Sequence, residues 1–330
     1  MDYDALYMGL ALDKAWEYQL LTYPNPAVGA TVTHNGKIVA VEAHQKSGSS
    51  HAEVRALLIA YEQMSGIDID FDHNDAQKAH KFLLSLPDGF FKSCSIYVTL
   101  EPCSHHGKTP SCATLLSKLE LQEVVIGIAD PISGHNGGAN LLKQARFGVL
   151  EQRCRELIEP FLIWQERAFV LFKIAQTANG RIGGGYLSSQ ESLTHVHQLR
   201  DVCSTMLIGG NTVRIDRPKL DCRFIDATAP DITIYSRRDN FDRNIPLFTV
   251  PDRVIKITDN LSFLDIPSFV LVEGGEGMIR EMISYTDMLL VYQTPALSTN
   301  QLSYSTASKL EIYHSTMLER DLSIWYSVIK

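Results

Sequence analysis

Apolar positions recur along this chain with two periods, helical and alternating, and stretches of the two follow one another from end to end. Tyr3, Leu6, Leu10 and Ala11 fall at helical spacing, so residues 3–20 read as an amphipathic helix. Pro24 and Pro26 then force an extended turn, because each proline disfavours the helical region for the residue before it. Residues 27–33 and 37–43 are β-rich runs joined around Asn35-Gly36, a strong hairpin signal. Helical spacing returns over 51–64. Residues 65–93 are polar, rich in Asp and Lys and without a clear period, and read as an inserted, partly helical excursion. Two more β-rich runs follow at 95–100 and 123–128. A rather polar helix over 150–168 bridges to the second half.

There the pattern restarts. Residues 169–175, 205–208, 232–235, 254–257, 269–272 and 288–292 are β-rich, with helical stretches such as 191–201 and 277–284 between some of them. Strands alternating with helices predict a second α/β domain with a mostly parallel sheet. A chain of 330 residues is long enough for two cores. The division is placed after residue 166, giving domains 1–166 and 167–330, with no internal repeat and no low-complexity tract.

Composition narrows the class. With 45% hydrophobic and 21% charged residues this is a globular chain, and no run approaches the roughly 18 apolar residues of a membrane span. The N-terminus, Met1-Asp2-Tyr3-Asp4, is acidic where a secretory signal would be basic, so a cytoplasmic location is the default. A net charge of −8 gives no general pull toward nucleic acid, although a local basic patch stays open. Six cysteines are too few for a disulfide scaffold of this size, and in a reducing compartment clustered ones read as metal ligands.

Three residues carry that reading. Ser49-Ser50-His51-Ala52-Glu53 opens a helix, Glu101-Pro102-Cys103 follows a strand, and Cys112 comes after eight intervening residues. One imidazole and two thiolates suit Zn²⁺ and leave a fourth tetrahedral position for water, whose pKa the metal lowers. Glu53, two residues from His51 and not itself a ligand, is placed to take the water proton and pass it to a leaving amine. That is the His-x-Glu…Pro-Cys pattern of zinc deaminases. The competing reading is a closed structural zinc site with His105 or His106 as fourth ligand, which leaves Glu53 without a task. Otherwise these two histidines are hydrogen-bonding residues of the loop. His44 is either a substrate contact or a loop histidine.

Base deaminases commonly space their cysteines Cys-x-x-Cys, and the spacing here is wider. The run Thr99-Leu100-Glu101-Pro102-Cys103-Ser104-His105-His106-Gly107-Lys108-Thr109-Pro110-Ser111-Cys112, with Pro24-Asn25-Pro26-Ala27-Val28-Gly29 and His51-Ala52-Glu53, resembles the bifunctional riboflavin-biosynthesis deaminase-reductases. The likeness continues more thinly to about residue 293. It implies a cytidine-deaminase-like three-layer α/β/α domain followed by a dihydrofolate-reductase-like α/β domain. It implies a small-molecule substrate, 2,5-diamino-6-(5-phosphoribosylamino)pyrimidin-4-one, deaminated at a Zn²⁺ site and then reduced by NADPH at its ribosyl group. His51, Cys103 and Cys112 would hold the metal, Glu53 would shuttle protons, and Asn25 and His44 would touch the pyrimidine. The loop from His44 to His51 looks one residue shorter than the family's.

In the second domain the likeness is carried by Lys173–Ile182, Leu199-Arg200, Thr212–Arg223 and Phe269–Gly277. It places Gln176, Tyr186, Thr212, Asp216, Ser236, Gly275, Glu276, Gly277, Met278, Ile279, Arg280 and Glu281 on the cofactor. Gly184, Arg200, Leu220, Arg223 and Glu273 would meet the substrate, the arginines at its phosphate. A strand-glycine-helix joint at 269–277 suits a pyrophosphate, though alone it is more often only a tight turn. The chain departs from the family at Asn179 and Arg217, where Asp is usual, and at Tyr186, where Trp is expected. Two rivals stay open: a nucleoside or tRNA deaminase with an unrelated second domain, and a deaminase whose second half is a degenerate scaffold. A homo-oligomer is left open, with neither nucleic acid nor membrane as partner.

Overall fold

The computed structural model describes all residues except 1, 106, 108, 133–135 and 184–186. The chain divides into two compact units, Met1–Leu162 and Ile163–Lys330. The first begins with α1 (Tyr3–Trp16), whose N-cap Asp2 accepts a hydrogen bond from the Ala5 amide. The helix stops four residues before the reach of its apolar pattern, and Leu20 already has φ +67°. The hairpin β1 (Gly29–His34) and β2 (Lys37–Ala43) turns at Asn35 and Gly36, with φ of +51° and +75°. Two consecutive left-handed residues make the turn whose twist matches flanking strands, which is why Asn-Gly marks it.

Then come α2 (Ala52–Ser65), α3 (Ala76–Leu84), β3 (Cys94–Leu100), α4 (Cys112–Leu116), β4 (Glu123–Ile128), β5 (Ala145–Phe147) and α5 (Glu151–Glu166). Among the described residues the sheet runs β2-β1-β3-β4-β5, antiparallel at β2-β1-β3 and parallel beyond. Strand alternation sends Ala30, Val32, Ile96, Val98 and Ile126 into one core with Val54, Leu57 and Leu58 of α2 and Leu115 and Leu116 of α4. The residues between them face the other way. The Tyr97 hydroxyl donates to Asp4 of α1 (2.8 Å), and a side chain at Gly127 would overlap the Cys154 sulfur of α5. Helices on both faces make the layers α/β/α. The excursion over 65–93 adds core rather than a detached loop: Phe71, Phe82 and Phe90 of this stretch cluster with Tyr61 of α2 at 4.9–5.6 Å between ring centroids.

The second unit contains β6 (Ala168–Thr177), α6 (Gln190–Val202), β7 (Thr205–Gly209), α7 (Gly210–Asp216), β8 (Ile232–Tyr235), β9 (Ile255–Thr258), β10 (Ser268–Glu273), α8 (Glu276–Met282), β11 (Met288–Thr294), β12 (Lys309–Leu318) and β13 (Asp321–Ile329). Its sheet runs β12-β13-β11-β6-β10-β7-β8-β9. The six strands from β11 to β9 are parallel and near-continuously apolar, as strands covered on both faces must be. Val170, Phe172, Leu207, Val270 and Val272 pack with Met278, Ile279 and Met282 of α8 on one face. The antiparallel pair β12–β13, absent from the sequence reading, closes one edge.

Candidate metal centre and cofactor cleft

His51 is the N-cap of α2, but its side chain makes no capping bond, which leaves the imidazole free to point elsewhere. β3 delivers Cys103 just past its end, and the start of α4 delivers Cys112. The Nδ1 of His51 lies 3.7 Å from the Cys103 sulfur and 3.4 Å from that of Cys112, and the ligand atoms of all three lie within 4.8 Å of one another. Sulfur and imidazole atoms converging at this distance on one point fit a tetrahedral zinc ion. A hydrogen bond from Cys112, with help from His51, holds the Cys103 thiol far below its ordinary pKa despite burial, so a ready thiolate ligand exists. Among the described residues no fourth His, Cys, Asp or Glu joins this group. His106 lies outside the described residues.

Three neighbours organise the centre. The far nitrogen of His51, Nε2, is 3.0 Å from the Thr109 hydroxyl, an arrangement that leaves Nδ1 as the metal-facing lone pair. Glu53 is 3% exposed on the first turn of α2, and burial raises its carboxyl pKa above the ordinary value. Glu101, passed over in the sequence except as part of the motif, is a buried anchor. Its carboxylate accepts from the amides of Asp130, Gly137 and Ala139 at 2.9–3.0 Å and seats that loop against the cysteine turn. A side chain at Gly138 would overlap the Pro102 carbonyl, so only glycine permits this seat.

His44 and Asn25 are brought to the same place. Their side chains are 3.1 Å apart, and the His44 ring stands 5.1 Å from that of His51, so the short intervening loop does not carry His44 away. Burial depresses the His44 pKa to about 4, which keeps the imidazole neutral at neutral pH. Its Nδ1 faces the Ser50 carbonyl at 3.2 Å. Nε2 therefore accepts from the Asn25 amide.

In the second unit a cleft of about 660 Å³ opens at the C-terminal ends of β7, β8 and β10. Such ends are where open α/β sheets take ligands. Thr212, Asp216, Ser236, Gly275, Gly277, Met278 and Glu281 line it, together with Arg214, Arg237 and Arg238, which the sequence reading left unassigned. Gly210 is required where the chain passes: a side chain there would strike Ser236 and Arg214. Ile279 instead packs into the core, and Arg280 pairs with Glu276 at 3.0 Å, so neither lines the cleft. Gln176 points toward Gln293 at 3.5 Å. Gly184 and Tyr186 lie outside the described residues.

The residues expected at the substrate form a charged knot. Arg200 reaches Glu273 at 2.8 Å through one terminal nitrogen and the Asp221 carbonyl at 3.0 Å through the other, and Lys173 pairs with Glu273 at 3.0 Å. Burial alone would raise the Glu273 carboxyl; the two cations overcome it and bring its pKa down to about 2. Arg200 is thus engaged, while Arg223, 42% exposed at its side chain, rests on Asp221 at 3.0 Å. Leu220 has φ +55°, a left-handed conformation costly for leucine, and Arg253 holds the loop by donating to the Lys219 and Leu220 carbonyls. Two of the three departures from the family pattern have partners of their own. Asn179 bonds the Ser298 backbone both ways, and Arg217 pairs with Asp242 at 2.6 Å.

These features define a zinc-deaminase unit followed by a mixed α/β unit with a nucleotide-sized cleft. Residues 1–128 match the cytidine and deoxycytidylate deaminase zinc-binding region, and residues 168–276 match the RibD C-terminal domain. The riboflavin biosynthesis protein RibD of Mycobacterium tuberculosis is 31% identical over 313 residues, 88% of this chain and 84% of that protein. The chain belongs to the RibD family of riboflavin biosynthesis proteins. RibD of Aquifex aeolicus is 35% identical over 243 residues, 70% of this chain, a match spanning 61% of that protein's length. RibD of Actinobacillus pleuropneumoniae is matched over 56% of its length. In fold the chain is similar to Acinetobacter baumannii RibD, with a TM-score of 0.67, 21% identity and 99% of each chain covered. A Thermotoga maritima protein described as a diaminohydroxyphosphoribosylaminopyrimidine deaminase/5-amino-6-(5-phosphoribosylamino)uracil reductase gives 0.66 at 24% identity, again over 99% of each chain.

Proposed function

We propose that this chain catalyses two consecutive reactions on one small molecule: hydrolytic deamination of 2,5-diamino-6-(5-phosphoribosylamino)pyrimidin-4-one by residues 1–166, and NADPH-dependent reduction of the product's ribosyl group by residues 167–330. The observation that carries the first half is the convergence of His51, Cys103 and Cys112 with the buried Glu53 beside them. Zinc bound there supplies the Lewis acidity that makes water a nucleophile near neutral pH. Glu53 accepts the proton of the attacking water at its carboxylate and delivers it to the departing amine, a transfer favoured by the raised pKa of a buried carboxyl. Asn25 accepts from a ring N–H through its carbonyl oxygen, and His44 fixes which way that amide points.

For the second reaction, NADPH supplies the hydride. Thr212, Asp216, Ser236 and the turn at Gly275 line the cofactor's cleft, and Arg237 and Arg238 bring positive charge to the side where a 2′-phosphate would sit. Glu273, held ionised by Lys173 and Arg200, faces the ribose. Arg200 and Arg223 are the cations proposed for the phosphate; Arg200 also holds Glu273, and Arg223, paired with Asp221, is the more exposed of the two. The cleft and the internal partners of Asn179 and Arg217 favour a working reductase over a degenerate scaffold. The further reading proposed is a cytoplasmic enzyme, monomer or homo-oligomer, without nucleic-acid or membrane partners; among the described residues no helix is long and apolar enough to cross a membrane.

Glu53→Gln tests the central assignment. It keeps the shape and the metal ligands but removes the proton acceptor. Ammonia release falls by about a thousandfold or more, the upper range for removing a general base, while zinc measured per chain is unchanged. Retained turnover contradicts the role of Glu53, and lost zinc would make it a structural residue.

A further inference from the structure

The fourteen residues 295–308, between β11 and β12, lie beyond the stretch matched by the RibD C-terminal domain. They do not hang free. Several attachments fix them, beginning with the Ala178 N–H, which donates to the Ala296 carbonyl at 2.9 Å. Asn179 donates from its amide to the Ser298 carbonyl (2.9 Å) and accepts from the Ser298 N–H (3.1 Å), while Thr177 donates to the same Asn179 oxygen (2.7 Å). The Ile182 N–H donates to the Leu302 carbonyl at 3.0 Å. At the far end the Glu276 carboxylate accepts from the Ser305 N–H (2.8 Å), the Ser305 hydroxyl (2.6 Å) and the Thr306 hydroxyl (3.0 Å). These attachments set Leu302 at the wall of the 660 Å³ cleft, 61% exposed. Gly183 backs it so closely that a side chain there would sit 3.2 Å from the Leu302 methyl.

We infer that this segment is a cofactor strap: Leu302 packs on the bound nicotinamide dinucleotide, and Asn179 and Glu276 are the positioning residues that hold it there. The inference rests on the reading of the cleft as the NADPH site. An apolar side chain ordered at the edge of a cleft gains by covering a flat heterocycle. The latch also gives Asn179 a physical reason. The two-way bond to a backbone needs one donor and one acceptor on the same side chain, which an amide has and a carboxylate lacks. It likewise sets the role of Glu276. Its carboxylate is taken up by the strap and by Arg280, which leaves its backbone to meet a cofactor.

The test is made on the full chain with NADPH. Wild type is expected to bind it, and NADPH is expected to slow chymotryptic cleavage mapped by mass to Leu297, Leu302 and Tyr304. Leu302→Ala is expected to raise KM for NADPH about tenfold, the order for losing a leucine's apolar contact, with kcat changed less than twofold. Asn179→Asp is expected to act in the same direction and to speed cleavage in the absence of cofactor, with Asn179→Gln restoring part of the effect. Binding of NADPH by wild type with the same KM in both Leu302→Ala and Asn179→Asp overturns the strap and leaves the cofactor reading intact. Absence of NADPH binding by wild type overturns both.

Discussion

Thr109 shows how a residue outside the metal's first contacts can set its affinity. Its hydroxyl lies 3.0 Å from Nε2 of His51, so with zinc on Nδ1 the ring proton would sit on Nε2 and the hydroxyl would accept it. Removing such a partner weakens metal binding by about ten- to a hundredfold. Thr109→Val, close in shape, should therefore lower zinc affinity by roughly tenfold or more in a chelator competition, with Thr109→Ser retaining the wild-type value. Equal affinities in Thr109→Val and wild type would show that the ring is fixed by packing alone. At this scale the sequence was informative where chemistry is local. His-x-Glu and the two cysteines name their own partners, because a helix start and a strand end bring them together. Thr109, Glu101, Lys173 and Arg253 were not legible, since each acts on a residue or loop that only the fold brings near. Arg200 was legible as a cation but not as the partner of Glu273, 73 positions away.

Elements with one clear period and a clean stop were legible. β4 and β8 have the limits their apolar runs imply, and α2 ends where Gly66 takes φ +71°. The hairpin β12–β13 escaped because β12 is an edge strand exposed along both faces. Its residues Leu310, Ile312 and Met317 alternate with nothing buried, so no period separates strand from loop. The excursion over 65–93 was legible as partly helical, and α3 lies within it, but its place in the core was not: its phenylalanines serve a cluster completed by Tyr61 of another element. A pairing between elements also makes stability depend on pH. His195 of α6 is half-buried, its Nδ1 2.7 Å from the Tyr292 hydroxyl of β11, and burial lowers its pKa to about 4. The folded pKa lies below the unfolded value of about 6.5, so the folded chain refuses a proton that the unfolded chain takes up. No penalty exists above pH 6.5; it grows as pH falls from 6.5 to about 4, reaching on the order of 3 kcal/mol. Urea unfolding of the second unit, followed between pH 7 and 4, should show this slope shrink by about one proton in His195→Gln. An unchanged slope would assign the dependence to other groups.

At the scale of the molecule, two sheets with separate cores each carry one of the two candidate sites. The restart of the strand-helix pattern announced the second domain, while the division after 166 and the boundary of the compact units at Leu162 differ within one helix, where neither periodicity nor composition changes. The proposed order of the two reactions follows from their chemistry: the aminouracil ribosyl phosphate that the first would yield is the substrate proposed for the second. The most direct test gives the purified chain the diaminopyrimidinone ribosyl phosphate with NADPH and follows ammonia and NADPH together. The account predicts one NADPH oxidised per ammonia released. It further predicts that Glu53→Gln stops both with this substrate yet still oxidises NADPH when given the deaminated aminouracil. Ammonia release without NADPH oxidation, in wild type and with either substrate, would contradict the two-step account and leave a deaminase alone.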